Sequence, residues 1–68
     1  MSGGSELNLS PDQLATLYND RGQAKYLQVR FSEATADYDL ALQLNPEQAV
    51  FHYNRSTVVY RYTLALHK

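Results

Sequence analysis

FSEATADYDLALQLNPEQAVFHYNR, Phe31 to Arg55, reads as most of a helix, a stop and a second start. Ala34, Tyr38, Ala41 and Leu42 are spaced four, three and one apart, as on one apolar helical face, and Leu44 extends the stripe. Asn45-Pro46 ends that helix, because the residue before a proline is pushed out of the α region. The same proline suits the first turn of a following helix, with Asn45 as its cap and Glu47 near its positive end. No breaker occurs between there and Lys68, so a third helix is expected to fill the remaining sequence. Val58-Val59-Tyr60 favours a strand locally, but the helical context on both sides outweighs it.

Upstream, Ser10-Pro11-Asp12-Gln13 has the form of a capping box. Ser10 caps, Pro11 takes the first helical position, and Gln13 reaches back to the cap. Leu14, Leu17, Tyr18, Ala24 and Leu27 follow at mostly helical spacing, which predicts a first helix over Pro11 to Gln28. Val29, Arg30 and Phe31 form the break, and Ser32 is the expected cap of helix two, with Thr35 in place of an acid three residues on. Residues 1–9, MSGGSELNL, are Gly/Ser-rich and read as a disordered linker or tag remnant; residues 10–68 read as a three-helix unit.

The 68 residues allow one small domain, and an unaided core of that size supplies only about 3–5 kcal/mol. Without cysteine, neither a disulfide nor a Cys-based zinc site can reinforce it, so the remaining supports are close helix packing or association with another chain. A net charge of −1 carries no general attraction to nucleic acid or to an anionic membrane, and no apolar run reaches the ~18 residues of a span. The first residues lack the basic and apolar regions of a signal peptide, which leaves the cytoplasm as the default location.

The chain also repeats itself. YNDRG at Tyr18–Gly22 is echoed by HYNRS at His52–Ser56, so that Tyr18 aligns with His52, Arg21 with Arg55, Gly22 with Ser56 and Tyr26 with Tyr60, each 34 residues on. That period and the order of residues resemble the tetratricopeptide repeat (TPR) family, whose pattern runs W-x2-L-G-x2-Y, then A-x3-F, then P. Tyr18 stands at the Trp position, Gly22 at the Gly, Ala34 at the Ala, Tyr38 at the Phe and Pro46 at the Pro, with Ala41 as the small residue late in the second helix. Two positions depart: Arg21 replaces Leu, and Lys25 replaces Tyr, with Tyr26 beside it. The likeness covers Ala15 to about Arg61. It implies an all-α fold, an antiparallel helical hairpin plus a third helix, one and a half repeats in all, in which Tyr18, Gly22, Ala34, Tyr38, Ala41 and Pro46 carry the repeat packing.

In that family the first helices line a concave groove. The resemblance therefore places Asn19, Gln23, Tyr26, Tyr53, Thr57 and Tyr60 on a peptide-binding face, with Arg61 at its edge. Tyrosine suits such a role, having apolar area and a hydroxyl, although Tyr26 and Tyr60 could equally be packing between repeats. The Lys/Arg/Asn clamp by which the family grips a peptide C-terminus is largely missing, which disfavours that ligand. His52 and His67, 15 apart, have no further ligands at metal spacing, so neither metal nor cofactor is expected. Asp37 and Asp39 point to different faces of a helix and read as solvated surface. With no nucleophile grouping and no phosphate loop, no enzymatic activity is expected.

Charge is segregated. Helix two carries Glu33, Asp37 and Asp39, and helix three carries Arg55, Arg61 and Lys68, an arrangement that either steers one copy toward another or forms two solvated faces. Helix three is apolar around much of its circumference, with Val58, Val59, Tyr62, Ala65 and Leu66 as the expected contact with a second copy. The expected function is non-catalytic protein–protein interaction with self-association, as a homodimer or higher homo-oligomer. A groove for an extended peptide of another protein is the first alternative. A truncated or engineered repeat fragment whose only property is assembly is the second.

Overall fold

The computed structural model describes residues 9–67, so the linker expected over 1–9 lies outside it except for Leu9. Three helices follow one another: α1 (Pro11–Leu27), α2 (Phe31–Leu44) and α3 (Ala49–Leu66). The architecture is all-α, a TPR-like helical hairpin with a third helix packed against it. Two short links connect the helices, so consecutive helices run antiparallel. At one end of the hairpin the Asn45 side chain donates to Asp12 Oδ1 (3.0 Å). Helices α1 and α3 run side by side in the same direction, joined where Asn54 Nδ2 donates to Asn19 Oδ1 (2.9 Å).

Helix α1 begins as its sequence directs. The Gln13 N–H donates to Ser10 Oγ (3.1 Å), and the Ser10 N–H donates to Gln13 Oε1 (2.9 Å), which satisfies two donors that the helix start would otherwise leave open. Pro11 suits the first turn, where its missing N–H costs nothing, and Asp12 in the first turn and Lys25 in the last are each favourable to the helix dipole. The other two starts differ from the reading above. Phe31 is already helical, Arg30 is the N-cap of α2, and Ser32 makes no capping hydrogen bond. Instead, the Arg30 guanidinium anchors the start of α2 by reaching Glu33 (2.9 and 2.6 Å) and Gln28 Oε1 (3.0 Å). At the next junction Asn45-Pro46 ends α2 but does not open α3. Pro46 and Glu47 form a turn in which the Gln48 N–H approaches Asn45 O (3.4 Å), and helix resumes only at Ala49. His52 holds that turn: its Nε2–H donates to Pro46 O (2.7 Å).

The end of α1 is a Schellman motif, in which the Arg30 N–H donates to Lys25 O (2.9 Å) and the Val29 N–H to Tyr26 O (3.0 Å). Such an ending needs a left-handed residue, and the residue here is Val29, at φ 62°. A β-branched side chain is poorly tolerated there, where glycine is the usual occupant.

The core is small and falls into two clusters. Ala15, Ala41 and Phe51 form one, flanked by Tyr18, Leu42 and Leu44; Ala34, Tyr38 and Val58 form the other, flanked by Tyr26. Small residues let the helices approach and large ones fill the space beside them. The closest fit is at Gly22, where an added Cβ would lie 2.8 Å from Tyr38 Cε1 and 3.0 Å from Cδ1. The ring cannot swing clear, because Tyr38 is buried and its hydroxyl donates to Gln23 Oε1 (2.8 Å). Gly22, Ala34, Tyr38 and Ala41 are each buried, Tyr18 is half-buried, and Pro46 is exposed in the turn.

Two outcomes are expected from this packing. Gly22→Ala should destabilise the protein by ~1–3 kcal/mol through overpacking against Tyr38, read by denaturant unfolding; a midpoint equal to wild type would show that the crossing has slack. Val29→Gly should do the opposite. Removing a left-handed penalty of about 1–2 kcal/mol, less the added freedom of the unfolded chain, leaves a gain of about 0.5–1 kcal/mol in the same experiment.

Candidate functional site

The surface between α1 and α3 is concave. A cavity of about 200 Å³ opens there, lined by Gln23 and Tyr26 from α1, Tyr38 from α2, and Tyr53, Asn54, Thr57 and Val58 from α3. The helices supply these positions by periodicity. Gln23 and Tyr26 are three apart on α1, while Tyr53, Asn54, Thr57 and Val58 recur at one, three and one on α3. Tyr38 and Val58, both buried core residues, form the floor. The polar groups of Gln23, Asn54 and Thr57 are engaged within the chain, with Tyr38 Oη, Asn19 Oδ1 and Tyr53 O, and none of the seven lining side chains is charged.

Four of the seven residues assigned to the groove from the sequence, Gln23, Tyr26, Tyr53 and Thr57, line this cavity. Asn19 lies behind it, buried, accepting from Asn54. Tyr60 and Arg61 are exposed and outside the lining. Asn54 was missed, yet the sequence carries a trace of it. The dipeptide Tyr-Asn occurs at Tyr18-Asn19 and again at Tyr53-Asn54, and the two asparagines that pair belong to those dipeptides.

The residues expected to meet a second copy are divided. Val58 is 1% exposed and belongs to the core, so it is not available as a surface. Tyr62 lies on the same side of α3, its ring 6.4 Å from that of Phe31. Val59, Ala65 and Leu66 are exposed.

Electrostatics correct two readings. Asp37 is not solvated surface: it is 2% exposed and accepts from Arg21 Nε (3.1 Å) and Nη2 (2.8 Å), with Lys25 Nζ at 3.2 Å. A bidentate guanidinium plus an ammonium makes a carboxylate tolerable in a buried place. The Arg21 guanidinium also rests over the Tyr18 ring, 5.3 Å from its centroid. The hydrogen bonds from Arg21 hold the Asp37 carboxyl below its ordinary range, against the opposing effect of burial, and Lys25 adds to the lowering. Glu33 is lowered likewise, first by its hydrogen bond with Arg30, while the Tyr38 hydroxyl is raised by burial and then by Tyr26. Asp39 pairs with Arg55. The three acids of α2 are therefore each matched within the chain, and Arg55 does not present a free charge to another copy. Among the described residues, no three His, Cys, Asp or Glu side chains converge.

The chain is similar over 52 residues to the Hsp70-Hsp90 organising protein of Plasmodium falciparum (isolate 3D7), at 35% identity. The matched stretch is 75% of this chain and 9% of that protein, so the chain spans less than a tenth of the relative's length. No family model matches the chain, and no solved structure matches it. None of the described helices is long and apolar enough to cross a membrane.

The paired carboxylate fixes a pH dependence. Because the folded Asp37 pKa lies below the unfolded value of about 3.9, the stability it contributes is present above that value and lost as pH falls through the folded one. Unfolding measured between about pH 6 and pH 2 should show wild type losing stability in the acid limb. Asp37→Asn should be weaker by ~1–3 kcal/mol at neutral pH and shallower in the acid limb, the residual slope coming from groups such as Glu33.

Proposed function

We propose that this chain is a non-catalytic protein–protein interaction module that self-associates through the uncovered side of α3. One observation carries the reading. Beyond Val58 no residue of α3 is buried, and Val59, Tyr60, Tyr62, Leu64 and Leu66 are all exposed. Leu66 is 67% exposed and Tyr60 63%. Covering a Val or Leu fully contributes ~1.5–3 kcal/mol, a large share of what so small a core supplies. A two-fold dimer is the commonest way for one surface to cover itself. The relative's name, an organising protein for Hsp70 and Hsp90, supports protein interaction as the class of function. A cytoplasmic setting is part of the proposal, as is the finer likeness of Ser10–Phe31 to the small animal tetratricopeptide repeat protein thirty-two.

The cavity between α1 and α3 favours a second reading, a groove for an extended peptide. Its uncharged lining suits an apolar side chain rather than a carboxylate. In that reading α3 acts as a wall of the site and needs no partner copy.

Sedimentation equilibrium separates the two. Wild type should be dimeric or larger at about 0.1 mM, well above the micromolar dissociation constant expected of a modest interface. The Val59→Glu, Leu66→Glu double variant should be a folded monomer. A wild-type single chain at that concentration would sink self-association and leave the groove reading in place.

A further inference from the structure

Each of the three helices gives one tyrosine to the same cavity: Tyr26 from α1, Tyr38 from α2 and Tyr53 from α3. An apolar hollow could be walled with Leu or Val, yet the only aliphatic side chain in the lining is Val58. Packing accounts for Tyr38, which is buried, and in part for Tyr26, which is half-buried. It does not account for Tyr53, which is 73% exposed. An aromatic ring differs from an aliphatic group of similar size in having an electronegative face, which attracts a cation.

The chain's own cations are occupied elsewhere. Arg21 rests over the Tyr18 ring, outside the lining, and closes on Asp37 with Lys25. Arg30 is paired with Glu33 and Arg55 with Asp39. Arg61, one turn on from Thr57 along α3, is exposed and does not line the cavity. Three rings therefore meet at a cavity whose lining holds no positive group.

The polar atoms narrow the ligand further. Gln23 Oε1 accepts from Tyr38, Asn54 Nδ2 donates to Asn19 and Thr57 Oγ donates to Tyr53 O, and no carboxylate stands in the lining. A primary ammonium has three N–H donors and a strong hydration shell to replace, and this lining offers little in exchange. A carboxylate would find no base. A trimethylated ammonium has no N–H to satisfy and presents its charge through an apolar methyl surface, which suits ring faces. About 200 Å³ has room for that group and the end of its alkyl stem. The cavity opens on the concave surface between α1 and α3, where an extended peptide can lie while one side chain enters.

We infer that this cavity is a tyrosine cage for a trimethylated lysine side chain of a partner peptide. The inference rests on the groove reading given above, which it makes specific, and it is independent of self-association.

The test compares ligands of one shape. A short glycine-flanked peptide with a central trimethyllysine should bind, in an NMR titration to about 10 mM, at least about fivefold more tightly than the same peptide with carbon in place of the charged nitrogen. The two side chains share their methyl surface, so the difference reads the charge. The peptide with unmethylated lysine should also bind at least about fivefold more weakly. Tyr53→Leu keeps apolar area at an exposed position but removes a ring face, so it should abolish the preference for the charged peptide with helicity by circular dichroism unchanged. Tyr53→Phe should retain the preference. Equal affinity for the charged and neutral peptides, or for the methylated and unmethylated ones, overturns the cage and leaves an apolar groove. A preference that survives Tyr53→Leu overturns the cage as well. Free choline binding as tightly as the trimethyllysine peptide overturns the peptide as the source of the cation. Failure of every peptide to shift the resonances of Thr57 and Val58 overturns the cage and the groove together.

Discussion

The ring of Tyr38 lies where a side chain at residue 22 would be, and the rest of the structure is arranged around that contact. Because Gly22 has no Cβ, α1 and α2 approach closely enough for Ala34 and Ala41 to be fully buried between much larger neighbours. The same ring, packed with Val58, ties α3 to the hairpin, and its hydroxyl fixes Gln23 at the lip of the cavity. One aromatic side chain therefore belongs at once to the hairpin, to the junction with α3 and to the floor of the groove. In a chain of this size, with no disulfide to fall back on, few other contacts are so widely shared.

Charge is arranged to keep that contact in place. Arg21 and Lys25 rise from α1 on either side of Gly22 and close on Asp37, the residue before Tyr38. Arg55, the echo of Arg21, closes on Asp39, the residue after it. The two pairs differ in worth. Asp37 is buried and its oxygens are occupied by three donors, so losing a partner would leave a desolvated charge. Asp39 and Arg55 are nearly half exposed, which puts their pair in the range of about 0–1 kcal/mol. The arginines recur in the sequence, yet only the first closes on a buried carboxylate.

Much of the fold was legible because its signals are local. The capping box at Ser10, the break at Asn45-Pro46 and the small and large residues at Gly22, Ala34 and Tyr38 each act over a few residues, and the period of 34 links them. What was not legible is long-range. Whether Asp37 faces water depends on Arg21, 16 residues away, and the face on which Val58 lies depends on how α3 docks. The start of α2 was misplaced for a related reason. Ser32 has the chemistry of a cap, but the side chain that anchors this helix is Arg30, through Glu33 and Gln28. In the groove, the tyrosines and Gln23 came from the pattern, whereas Asn54 came only from its pairing with Asn19, one residue out of step with the echo.

The three helices are not equally secured. Helix α1 has a capping box, Pro11 in its first turn, and charges of the favourable sign at both ends. Helix α2 has an acid in its first turn and no side-chain cap. Helix α3 has neither a side-chain cap nor a charged residue of either favourable kind in its end turns. Its two buried residues, Phe51 and Val58, lie in its first ten positions; the turns beyond them are held by continuity with that anchored half and by the contact of Tyr62 with Phe31. An isolated helix of under ~12 residues is marginal in water, so the stretch from Val59 to Leu66 is the part of the protein with least support of its own. It also carries the greatest density of uncovered apolar side chains. A partner laid along α3 would cover those side chains and brace the helix in one step, so its binding energy would also appear as helix stability.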